Sequence, residues 1–188
     1  MVLSHVAHYL SVLALYRLSL NVFGRETPSQ RLLCFLSAAL HIISPGGAFL
    51  TSPCPEAVFS FLNIFGYYVY SSSHSDHGTG KAVSRHVKWL AAAVLFAVAT
   101  TVRSNGILSG FLFAYDAVLQ LGQVIRGPSL NSVVRLGVIG ISGSIVALGM
   151  ILPQYLAYST FCTAEDTLRP WCQRTLPSIY SWVQEQYW

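Results

Sequence analysis

The sequence predicts an all-α polytopic membrane protein with about six transmembrane or re-entrant helices. Three observations carry that reading. Only 10% of the 188 residues are charged and 53% are hydrophobic, with a mean hydropathy of +0.52, whereas a soluble domain carries about 25% charged residues. The apolar residues gather into six runs separated by short polar loops. The cations alternate between loops, with seven (Arg25, Arg31, Lys81, Arg85, Lys88, Arg126, Arg135) on one side and three (Arg103, Arg169, Arg174) on the other.

The first run, Val2–Phe23, is long enough to cross a bilayer, which takes about 20 residues. Leu32–Leu50 is the second, and Pro45-Gly46-Gly47 breaks it near its end. Helices interrupted in this way at membrane depth line a cavity rather than face lipid. Ala57–Tyr70 and Trp89–Val102 are short, so they extend into their flanks or are re-entrant. Ile107–Ile125 and Val133–Tyr158 complete the set. Residues 1–158 read as a multi-span membrane region and 159–188 as an aromatic-rich tail with three of the four tryptophans.

The cation-rich side is expected to be cytosolic. That puts Thr51–Glu56, Arg103–Gly106 and Tyr158–Trp188 on the lumenal or external side. Met1–Leu20 lacks the basic start and small-residue cleavage site of a signal peptide. A chain starting outside with a span needs an earlier span, so upstream sequence is expected. The net charge of +4 is small and has no aromatic-rich basic face, which argues against nucleic acid as a partner.

The candidate site residues follow from this topology. Arg103-Ser104-Asn105-Gly106 interrupts apolar sequence with a cation, a hydroxyl, an amide and a glycine. It reads either as a hairpin turn, with Asn-Gly making the turn and Arg103 reaching headgroups, or as an anion site with Arg103 on a phosphate. Glu56, after Pro53-Cys54-Pro55, either favours a helix dipole or contacts a substrate hydroxyl, with a base role as the weaker option. His5 and His8 share a helix face, but two imidazoles make a poor metal site. Arg17 lies near a cytosolic helix end, where it can snorkel, and His41 lies within a span. Asp116 is the deepest acid and is read as functional or as half of an ion pair. His74-Ser75-Asp76-His77, set among Ser and Gly, reads as a flexible loop. Gly137, Gly140 and Gly143, with Ser144 and Ala147, read as a close helix-packing face. Cys34 reads as a core residue; Cys54, Cys162 and Cys172 lie on the lumenal side, where Cys162 and Cys172 are close enough to pair.

Three stretches in order carry a family resemblance: Ile43-Ser44-Pro45-Gly46-Gly47-Ala48-Phe49-Leu50 running to Glu56, then Arg103–Gly106, then Arg169-Pro170-Trp171-Cys172 with the tail to Trp188. Together they resemble the PIG-V family of membrane mannosyltransferases. The resemblance implies part of a GT-C glycosyltransferase architecture in the endoplasmic reticulum membrane. It implies transfer of the second mannose of the glycosylphosphatidylinositol (GPI) anchor, α-1,6-linked, from dolichyl phosphate mannose. It implies no cofactor or metal, and a small membrane-protein subunit as partner. The family's catalytic acid lies in a lumenal loop with no equivalent here, so an internal fragment or truncated form is expected. Arg103, Asn105, Glu56, His41 and Trp171 are the expected substrate contacts, with Arg103, Glu56 and the Cys172 region converging on one lumenal cavity. The alternatives are a non-catalytic membrane subunit, or a small transporter with a polar path through Asp116, His41 and His5.

Overall fold

The computed structural model describes residues 2–43, 55–75, 82–163, 169–174 and 177–187. The described residues form helices α1 (Val2–Phe23), α2 (Pro28–Ile43), α3 (Glu56–Ser75), α4 (Ala82–Val102), α5 (Phe111–Arg126), α6 (Leu130–Phe161) and α7 (Ile179–Tyr187). Two 3-10 segments, Ser104–Gly110 and Pro170–Gln173, link them, and no strand occurs among the described residues. Among the described residues, four segments are long and apolar enough to cross a membrane: Val2–Phe23, Ala82–Val102, Ser104–Arg126 and Leu130–Phe161. The molecule is an all-α, multi-pass membrane protein.

Local chemistry sets the helix ends. Gly24 terminates α1 at φ 82, a left-handed conformation that favours glycine. Thr27 then opens α2 with a capping box: its N–H donates to Gln30 Oε1 at 2.9 Å, and Gln30 N–H donates to Thr27 Oγ1 at 3.3 Å. Pro28 takes the first helical position, where a missing N–H costs nothing. Ser129 caps α6 by accepting from Ser132 N–H at 3.2 Å. At 32 residues α6 runs about 48 Å, longer than a bilayer's apolar core. It continues past residue 158 to Phe161.

The short third and fourth runs extend into their flanks. α3 carries on through Ser72 and Ser73 because their hydroxyls donate back to the carbonyls of Val69 (2.8 Å) and Tyr70 (2.6 Å). α4 begins seven residues before Trp89 and takes in Arg85 and Lys88.

Packing runs α2 on α1, α1 on α3, α3 on α4, α4 on α6 and α6 on α5. α4 is the central helix. Trp89, Ala92, Ala93, Phe96 and Ala99 are wholly buried along it. Phe96 meets Tyr67 and Phe113 edge-on, and Phe113 meets Tyr70 in the same way. Such pairs add about 0.5–1.5 kcal/mol each beyond burial. Cys34 is fully buried, as a core residue should be.

The close helix approaches are not where the glycine row placed them. A Cβ at Gly137 or Gly140 would meet nothing within 4 Å, and one at Gly143 only Phe113 Cβ at 3.7 Å. Gly140, Gly143, Ser144 and Ala147 instead floor an open groove beside α5. The tight contacts are Gly149, against the Ala97 backbone of α4, and Gly66, under the Phe96 ring. Spacing shows which residues share a face; it does not show what stands opposite.

Candidate functional site

Arg103 ends α4 in an extended conformation (φ −145, ψ 127). The chain then enters the 3-10 segment, with Gly106 N–H donating to Arg103 C=O at 2.9 Å. Asn-Gly does not make a left-handed turn, since Gly24 alone among the described residues has positive φ. Gly106 serves a different need. A Cβ there would sit 2.7 Å from Thr100 N and 2.9 Å from Ala99 C. The segment folds so tightly on the end of α4 that only glycine fits.

A hydrogen-bonded clip fixes the same segment to α3. Ser109 Oγ donates to Asn63 Oδ1 at 2.7 Å. With that hydrogen committed, Tyr67 OH donates to Ser109 Oγ at 3.0 Å. Ser109 is buried, so losing either partner would strand a polar group.

These constraints bring Arg103 to Glu56, the first residue of α3. Arg103 Nη1 donates to Glu56 Oε1 at 2.8 Å, and the guanidinium carbon lies 5.9 Å from the Phe59 ring centroid. The Arg103 side chain is 42% exposed and Glu56 29%. The cation therefore faces outward, with Nε and Nη2 uncommitted among the described residues. Glu56 Oε2 is buried and has no hydrogen-bond partner among the described residues. Nε and Nη2 of Arg103 can donate to an incoming anion, whereas the buried Glu56 oxygen is turned away from solvent. The exposed Asn105 stands two residues along.

The other expected contacts lie elsewhere. Trp171 is buried in a cavity of about 300 Å³ against Phe161, Ile179 and Trp182, whose lining includes neither Arg103 nor Glu56. Cys162 and Cys172 are disulfide-bonded across ten residues, with Cα atoms 5.5 Å apart. The disulfide ties Trp171 to the end of α6, so the expected three-way convergence reduces to Arg103 with Glu56. His41 Nε2 bonds Ser11 Oγ at 3.1 Å, and its ring lies 5.4 Å from that of His8. Tyr70 OH donates to Asp116 Oδ2 at 2.6 Å. His41 and Asp116 thus have separate partners, on α1 and α3 respectively, and no described bond links them into a transport path. Pro45-Gly46-Gly47, Pro53, Cys54, Asp76 and His77 lie outside the described residues. His74 belongs to α3, its ring 5.1 Å from Tyr70.

Sequence reasoning missed a cationic cluster. Arg85 was placed in a loop but is buried in the first turn of α4. The guanidinium carbons of Arg85 and Arg135 each lie 5.5 Å from the Trp89 ring centroid. The four-residue spacing of Arg85 and Trp89 was a readable signal. Arg135, on α6, gave none.

The family model described as Mannosyltransferase (PIG-V) matches residues 1–188. The chain is 58% identical over 187 residues to GPI mannosyltransferase 2 of Aspergillus oryzae, covering 99% of this chain and 43% of that protein. It is 61% identical over 179 residues to GPI mannosyltransferase 2 of Aspergillus fumigatus, covering 95% and 41%. GPI alpha-1,6-mannosyltransferase 2 of Rattus norvegicus is 31% identical over 178 residues, covering 82% and 33%. The chain thus spans about two fifths of the length of its fungal relatives. No solved structure matches it.

Proposed function

Because the chain belongs to the mannosyltransferase (PIG-V) family, we propose that it is part of a GPI mannosyltransferase of the endoplasmic reticulum membrane. The enzyme transfers the second mannose, α-1,6-linked, from dolichyl phosphate mannose to the GPI precursor on the lumenal side. The observation that supports this reading is the Arg103–Glu56 pair, which holds an outward guanidinium at the end of the bundle.

In this reading Arg103 receives the donor phosphate. The acceptor hydroxyl oxygen attacks the anomeric carbon in line, and the bond from that carbon to the phosphate oxygen breaks. The configuration inverts, and dolichyl phosphate leaves as an anion. Arg103 stabilises the charge that grows on the leaving phosphate. Glu56 orients the guanidinium, and Asn105 hydrogen-bonds the sugar or phosphate. The hydroxyl proton passes to a carboxylate base in the part of the enzyme that this chain does not span. A small membrane subunit completes the assembly.

The test replaces Arg103 in a full-length fungal relative expressed in cells lacking the endogenous enzyme. Arg103→Gln is expected to cut GPI-anchored reporter at the surface by about 100-fold, the scale for a lost transition-state donor, with Arg103→Lys intermediate. Normal anchor synthesis by Arg103→Gln, at equal protein abundance, would refute the donor-phosphate role.

A further inference from the structure

At the end of the bundle opposite Arg103, α1 and α3 frame an amphipathic groove. Its upper part is a cavity of about 320 Å³ with Leu10, Leu13, Phe61 and Phe65 on its walls. Its lower part, about 360 Å³, is polar and holds Asn21, Arg25 and Glu26. Arg17 and Tyr68 line both parts, so the two adjoin. Neither Arg17 nor Arg25 has a hydrogen-bond or ion-pair partner among the described residues.

We propose that this groove binds an anionic phospholipid of the leaflet that Arg17 and Arg25 face, the cytosolic one by the distribution of basic residues. The phosphate sits between the two guanidiniums and an acyl chain follows Leu13, Phe61 and Phe65 up into the bilayer. Charge complementarity selects this occupant. Two cations face one carboxylate, Glu26, leaving a single positive charge for a phosphodiester. A zwitterionic lipid would bring a choline cation to that same rim. The apolar half accepts a hydrocarbon chain and offers nothing to a soluble phosphate.

The loop is built to hold this arrangement. Gly24, at φ 82, turns the chain at the end of α1 so that Arg25 joins Arg17 and Asn21 on one cavity. The Thr27–Gln30 capping box then fixes the start of α2 behind it. A Cβ on Gly24 would lie 3.2 Å from the Gln30 amide, in a conformation that L residues rarely adopt.

The test is native mass spectrometry of the 188-residue chain in neutral detergent. The probes are phosphatidylglycerol and phosphatidylcholine with identical acyl chains, with glycerol 3-phosphate as soluble competitor. Phosphatidylglycerol is expected to be retained in preference. Arg17→Gln and Arg25→Gln should each weaken retention about fivefold; both side chains are exposed, so the core is untouched. Arg126→Gln, an exposed cation at the same end, should leave it unchanged. Glu26→Gln should raise it, an outcome that misfolding cannot imitate. Equal retention of the two lipids, equal loss with Arg126→Gln, or displacement by glycerol 3-phosphate would each overturn the proposal.

Discussion

Gly106→Ala separates position from charge at the Arg103 site, because it removes no charged or hydrogen-bonding group. The added Cβ would stand 2.7 Å from Thr100 N, where ordinary contact begins at 3.4 Å. The obstructing atoms are backbone, so they cannot rotate away, and the 3-10 segment must retreat by about 0.7 Å. Arg103 moves with it, since its carbonyl accepts the Gly106 N–H. Overpacking of this kind costs about 1–3 kcal/mol. A 1 Å misplacement of a catalytic group costs about 100-fold in rate. The expected result is a folded full-length enzyme with a lowered Tm and mannosyl transfer reduced at least tenfold, read by GPI-anchored reporter and by thermal melting in detergent. Gly137→Ala and Gly140→Ala are the matched controls, each with open space around the new methyl group. Gly106→Ala with unchanged melting and transfer would refute the close-approach argument. Equal damage from Gly140→Ala would refute its specificity.

Three further outcomes are expected. Ser109→Ala strands Asn63 and Tyr67 in a half-buried site and should cost about 1–3 kcal/mol in thermal or denaturant unfolding, whereas Ser109→Thr retains the hydroxyl. Tyr70→Phe leaves Asp116 without its donor and should destabilise by a similar amount, with Asp116→Asn relieving part of that loss in a double-mutant cycle. Cys162→Ser should abolish a reductant-sensitive gel-mobility shift and quench protection of the Trp171 cavity, measured by tryptophan accessibility to acrylamide.

The membrane character and the places of the six apolar runs, each overlapping one of α1–α6, were legible because hydrophobic run length is a local property, although only four segments among the described residues are long and apolar enough to span. The flanks were not, and the reason lies in particular side chains. Ser72, Ser73 and Lys88 looked like loop residues, yet the serine hydroxyls return to their own helix and Lys88 Nζ donates to Ser72 C=O at 3.2 Å. Such groups are satisfied within the helices, so polar composition did not end them. Glu56 and Arg103 were readable as candidates on one lumenal side, but their direct pairing across 47 positions was not, because it depends on how the 3-10 segment folds back on the helices. The role of Gly106 was hidden because composition cannot distinguish a glycine that bends the chain from one that lets another backbone approach.

The Arg103–Glu56 pair raises a question of energetic purpose. Both side chains are partly exposed, so the ion pair contributes well under about 1 kcal/mol to stability. Yet three independent features hold it in place. Gly106 locks the segment to α4, the buried Ser109 clip ties it to α3, and Phe59 lies beside the guanidinium. A contact that stabilises so little does not require such support for folding. The arrangement fixes where one outward cation stands, and leaves two of its N–H-bearing nitrogens uncommitted among the described residues. Preorganised donors act on a developing charge without reorganising at the moment of reaction, and that advantage depends on position rather than on binding strength. The geometry therefore supports the proposal that Arg103 receives a ligand's charge, since the pair adds little to holding the bundle together.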